Sequence, residues 1–147
     1  MIYTYFVTGA GLVKIGRAVD VERRFKALQS SSPVRLKLIH SIEGDYESML
    51  HEHFKEKREH GEWFKVDVIM LALIQTIKRD GPMKILGEPS GYSKRGENSL
   101  WSIRERVVRE TLDANGRNIS KAARTLGMHR RTVQRILRQS ARRANVG

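Results

Sequence analysis

Apolar positions alternate along the start of the chain and then change period. Ile2 to Thr8 is rich in β-branched and aromatic side chains and reads as a strand. Gly9-Ala10-Gly11 supplies a turn, and Leu12 to Ile15 reads as a second short strand, so the chain opens on a hairpin. Asp20 is placed to cap a helix that carries Val21, Phe25 and Leu28 on one face. Ser30-Ser31-Ser32-Pro33 turns the chain into Val34 to Ile39, which alternates as a half-buried strand does. Glu43-Gly44-Asp45 is the next turn. Asp45 is expected to cap a helix running to about Glu59, with Met49, Leu50 and Phe54 inward and His60-Gly61 at its end. Trp63 and Phe64 read as core anchors rather than platforms for bases. Val68 to Lys78 is a strongly apolar helix, expected to pack across the sheet and to stop at Asp80-Gly81-Pro82. These elements predict an α+β unit: a small three-stranded sheet with packed helices over residues 1–80.

The period disappears over residues 81–98, where glycine, proline, serine and charge replace it and a linker is expected, with Met83 to Leu86 as a short edge segment at most. Residues 99–147 then read as a separate all-α domain. Ser99 can cap a helix with Leu100, Ile103, Val107 and Leu112 on one stripe, ended by Asn115-Gly116. Ser120 is expected to cap a short helix, Lys121 to Leu126. Gly127 turns sharply, and a third helix runs from about His129 through Leu137, with Val133, Ile136 and Leu137 as its core stripe. A helix, a glycine turn and a helix at this spacing form the helix-turn-helix pattern. The segment NISKAARTLGMHRRTVQRIL also closely resembles the Fis-type helix-turn-helix of bacterial regulators.

Charge sharpens the division. The chain carries a net charge of +12. Residues 1–80 hold 13 basic and 11 acidic side chains, whereas residues 97–147 hold 12 and 4, with no acid after Asp113. The second half therefore has the electrostatic footprint of a nucleic-acid binder. A membrane-surface helix would need a broader apolar face than the region after Asn118 offers. With no cysteine, disulfides and thiolate zinc sites are excluded. No secretory leader is visible, and the apolar run from Val68 to Ile74 is too short for a bilayer. A cytoplasmic, nucleoid-associated protein whose partner is double-stranded DNA is expected, without a membrane and with homodimerisation through the C-terminal domain open.

On the third helix of this domain, Arg130, Arg131, Gln134, Arg135 and Arg138 share the face opposite the core stripe. Arginine and glutamine both make bidentate contacts with purine edges in the major groove. Thr132 and Lys121 are better placed for phosphates. A solvated basic face is the ordinary reading of such a run, but the helix-turn-helix grammar and the missing acids favour DNA.

The front half carries a second resemblance. Tyr5-Phe6-Val7 followed by Val13-Lys14-Ile15-Gly16 resembles the hairpin of the GIY-YIG endonuclease superfamily, and more closely its phage-associated branch that writes KIG for YIG. The helix DYESMLHEHF followed by GEWF is similar to that branch's glutamate helix. The resemblance implies a nuclease. Glu47 would hold one magnesium or manganese ion, Tyr5 would position or deprotonate the attacking water, and Arg24 would clamp the phosphate. Lys14, where most of the superfamily has tyrosine, would supply positive charge or help move a proton. His51, four residues after Glu47, is expected near the site; His53 and His60 are not. Each residue also has an ordinary reading: Tyr5 as a strand aromatic, Arg24 as a surface cation, Glu47 as a first-turn acid. A DNA endonuclease aimed by its helix-turn-helix is the expected function. The alternatives are a DNA-binding regulator whose nuclease-like fold is inactive, and a dimeric nucleoid protein. A flexible linker of this length would reach roughly 20–25 Å, which implies cleavage on one flank of the bound site.

Overall fold

Ala10 and Gly11, at φ 52° and 76°, make the tight turn that pairs β1 (Tyr3–Gly9) with β2 (Leu12–Ala18). Two successive residues at positive φ match the twist of an antiparallel hairpin. In the computed structural model, which describes residues 1–87, 89 and 100–145, the chain then runs through α1 (Val21–Ser31), β3 (Lys37–Glu43) and α2 (Glu47–His53). It continues through β4 (Arg58–His60), β5 (Trp63–Lys65), α3 (Val68–Asp80) and α4 (Pro82–Leu86). The last helices are α5 (Leu100–Ala114), α6 (Ile119–Leu126) and α7 (Arg130–Ala144). The fold is α+β, and the described chain forms two compact units, with α3 divided between them at Gln75 and Thr76.

The first unit is built on an antiparallel sheet of order β3-β1-β2-β5-β4. Five strands replace the three expected. The two extra strands have three residues each, too few to show a period of two, and the sequence had placed them in a helix end and an anchor. Tyr5 and Val7 of β1, with Leu36, form a core on one face, against which Val21, Phe25 and Leu28 of α1 pack. The helix is held at its start as expected, because the Asp20 carboxylate accepts the Arg23 N–H at 3.0 Å.

β3 begins at Lys37 and not at Val34. Gln29 of α1 explains the delay: its side chain donates to the Val34 carbonyl (3.1 Å) and accepts the Leu36 N–H (2.7 Å), so this backbone is satisfied outside the ladder. The start of α2 also differs. Tyr46 is its N-cap residue and makes no capping side-chain bond, while the Thr4 hydroxyl accepts the Tyr46 N–H at 2.8 Å. Asp45, expected as the cap, is drawn to Arg17 instead. The helix ends at His53, well short of Glu59, and a single 3₁₀ turn over Lys55–Lys57 leads into β4. Phe64 is fully buried and Trp63 half-buried. α4 stands where linker was expected and buries Ile85 and Leu86. The rest of the 81–98 linker beyond Gly87, apart from residue 89, and the Ser99 cap lie outside the described residues.

In the second unit, α5 buries Ile103, Val107 and Val108. It is tied to α7 by Arg143–Glu105 at 2.6 Å and by a hydrogen bond from Arg109 to Ser140. Asn118 caps α6, its side chain accepting the Lys121 N–H at 3.0 Å; the helix starts at Ile119, and Ser120 is already inside it. Gly127, at φ 64°, closes α6, with its N–H and that of Met128 returned to carbonyls of the last turn. His129 caps α7 through its ring Nδ1, which accepts the Arg131 N–H at 3.2 Å. α7 extends seven residues beyond Leu137, to Ala144. Its buried stripe is Val133, Ile136 and Ser140, while Leu137 is only half-buried.

Candidate active site and nucleic-acid interface

β2 is longer than its partner β5, and the site forms where the partner stops. Pairing between them covers Leu12, Val13 and Lys14 only. At Ile15 the backbone finds other partners: its N–H donates to the Glu62 carbonyl (3.1 Å), and its carbonyl accepts from His51 Nε2 (2.7 Å). That bond requires a proton on Nε2, so His51 spends this nitrogen on the sheet edge.

Cross-strand partners share a face, so Tyr5 opposite Gly16 and Lys14 opposite Trp63 lie on the side covered by α1. The absence of a side chain at Gly16 makes room for the Tyr5 ring. A Cβ there would stand 2.5 Å from the hydroxyl oxygen and 2.6 Å from Cζ. From α1, Arg24 Nε donates to the Tyr5 hydroxyl at 3.5 Å, the long end of such a bond. Tyr5 is the chief cause of the raised pKa of Arg24.

Lys14, only 6% exposed, donates to the Glu62 carboxylate at 2.5 Å and lies 5.7 Å from the centre of the Trp63 ring. Burial pushes Glu62 upward, but the hydrogen bond and charge of Lys14, helped by His51 and Arg24, outweigh it. The carboxylate is held below its ordinary range. Three of the expected site residues, Lys14, Arg24 and His51, thus act on one acid that sequence reading did not single out.

Glu47 opens α2 and is half-buried, with its carboxylate 3.7 Å from Arg17 Nε. Arg17 also donates Nη1 to Asp45 at 2.5 Å. Asp45, by hydrogen bond and charge, and then Glu47 raise its pKa. Glu47 therefore sits in an arginine-linked pair of acids, while Tyr5 and Arg24 meet on the face under α1. Arg17, whose charge also acts on Glu62, links the two groups electrostatically. Among the described residues no three His, Asp or Glu side chains gather into a metal cage. The donor set at Glu47 is a single carboxylate, which suits a hard ion that keeps most of its own waters.

Neither Glu62 nor Arg17 stood out in the sequence. Lys14 did carry a signal for an acid: a lysine between Val13 and Ile15 in a hairpin strand shares its face with Tyr5 and needs a counter-charge. Which acid supplies it depends on β5 joining β2.

On the second unit, Arg130, Arg131, Arg135 and Arg138 are exposed along α7, and Lys121 is exposed on α6. Thr132 and Gln134 are half-buried. Because α7 continues past Leu137, Arg142 joins Arg131, Arg135 and Arg138 on one stripe directly opposite Val133, Ile136 and Ser140. No described helix is long and apolar enough to cross a membrane.

Two family models match the chain. Residues 101–139, which run from α5 through α6 into α7, match the model described as bacterial regulatory protein, Fis family. Neither the curated proteins nor the solved structures yield a match. Residues 1–79, more than half the chain, match the T5orf172 domain, so the chain belongs to the T5orf172 domain family.

Proposed function

We propose that this protein is a metal-dependent DNA endonuclease, with phosphodiester hydrolysis in residues 1–80 and duplex DNA bound by the helix-turn-helix in residues 99–147. The observation that carries this reading is the convergence beside the open edge of β2. There the Tyr5 hydroxyl takes the Arg24 Nε–H at 3.5 Å, and Lys14 joins Glu62 on the same face at 2.5 Å. A phenol, a guanidinium and an ammonium side by side suit a phosphate that must be held while a proton moves. The GIY-YIG resemblance of the hairpin supports the same roles. Arg24 grips the non-bridging oxygens, Tyr5 orients the attacking water through its hydroxyl, and Lys14 adds positive charge. Glu47 would hold a magnesium or manganese ion, whose chemistry there is to neutralise charge at the phosphate and the leaving oxygen. The exposed arginines of α7 place the duplex, by phosphates and by base edges.

The test is nicking of supercoiled plasmid with magnesium or manganese, by the parent, E47A and R24A. The parent is expected to nick, and each variant to lose roughly 10²-fold or more in rate while still binding DNA. Intact DNA binding with no cleavage by the parent under either metal would replace this reading with that of a DNA-binding regulator.

A further inference from the structure

Among the described residues of the first unit, Lys14 is the most buried cation, at 6% exposure. A cation so placed needs a counter-charge held rigidly beside it. Glu62 meets both needs. Its carboxylate is 2.5 Å from Lys14 Nζ, and its own carbonyl is pinned to the sheet by the Ile15 N–H at 3.1 Å. The next residue, Trp63, is the register partner of Lys14, and its ring lies 5.7 Å from Nζ.

We propose that Glu62 is a positioning residue that fixes the Lys14 side chain in place, so that Lys14 serves a bound phosphate as a fixed cation. What Lys14 serves rests on the nuclease reading; how Lys14 is held does not. Four groups face Glu62 from three elements: Lys14 and Arg17 from β2, Arg24 from α1 and His51 from α2. All favour the carboxylate over the neutral acid, so the charge on Glu62 is itself secured. An ammonium has three N–H donors and no acceptor. Glu62 takes one donor and orients the group, which leaves the other two for phosphate oxygens.

The full chain, E62Q and E62D are compared by ¹H–¹⁵N NMR of lysine NH₃⁺ groups at about pH 6, with K14R assigning the signal. The Lys14 signal is expected to be resolved and slow to exchange with water in the parent and broadened or lost in E62Q, with E62D between them. A signal that behaves in E62Q as in the parent overturns the proposal. Backbone amide spectra of the same samples report folding. Should E62Q unfold, E62D decides: a broadened signal supports the assignment, and no change overturns it. Plasmid nicking is read separately. E62Q should lower kcat roughly 10- to 100-fold with KM little changed, and E62D should restore part of that loss. A parent that never nicks, with a Lys14 signal that still depends on Glu62, removes the nuclease reading and leaves this assignment standing.

Discussion

Gly16 shows how one missing side chain shapes the candidate site. Its partner Tyr5 is 1% exposed, so the ring cannot swing into solvent to make room for a methyl group. G16A should cost about 1–3 kcal/mol by overpacking and break the contact between Tyr5 and Arg24. Urea unfolding reads the first effect and plasmid nicking the second; a fully stable G16A would mean that the ring has another place to go. His40 gives a separate residue-level prediction, away from the site. Burial, and then the charge of Lys78, lower its pKa below the ordinary value of 6.5. The folded state thus favours the neutral ring. The resulting stability is fully present above about pH 6.5 and is lost as pH falls through the lowered folded value. H40Q should flatten that part of the stability profile, and K78M should flatten it partly. Urea midpoints taken from about pH 5 to about pH 7 would show it.

At the scale of elements, the ends of the short helices carry more information than their middles. α6 spans only Ile119–Leu126, so a single cap is a large share of its local stability. The Asn118 side chain makes the capping bond at 3.0 Å, and Ser120 lies inside the helix. N118A should therefore cost about 1 kcal/mol and S120A distinctly less. Thermal unfolding of the two variants settles which residue caps; equal costs would argue against Asn118. The same competition for backbone partners sets the other boundaries. Gln29 satisfies the backbone around Val34 to Leu36 and delays β3, while Arg17 recruits Asp45 away from the start of α2.

At the scale of the whole molecule, charge is the governing feature. The excess of base lies in the last third of the chain, and on α7 it forms a stripe of Arg131, Arg135, Arg138 and Arg142 facing away from the core. Affinity of the full chain for duplex DNA should fall steeply with salt. Each stripe arginine that contacts a phosphate should lower the slope of log affinity against log salt by about 0.9 when changed to alanine. An arginine reading a base should instead relax sequence preference at one position. Fluorescence anisotropy over a salt series measures both. Unchanged slope and preference in all four variants would remove this face of α7 as the DNA contact.

What the sequence by itself determined are the features written in local spacing. The opening hairpin, the Asp20 cap, the glycine turn before α7 and its basic face depend on residues a few positions apart. The helical and strand periods, turn residues and charge report these directly. Only the tertiary structure decided the two three-residue strands, which are too short to carry a period. It also decided the pairing of Lys14 with Glu62, 48 residues apart, and the recruitment of Asp45 by Arg17 across 28 residues. Several acids could have met that lysine; only the order β3-β1-β2-β5-β4 brings Glu62 to it. Tyr5, Arg24 and Glu47 could be picked out together through the resemblance of their motifs, but that Tyr5 and Arg24 touch was settled by α1 packing over the face of β1 that carries Tyr5.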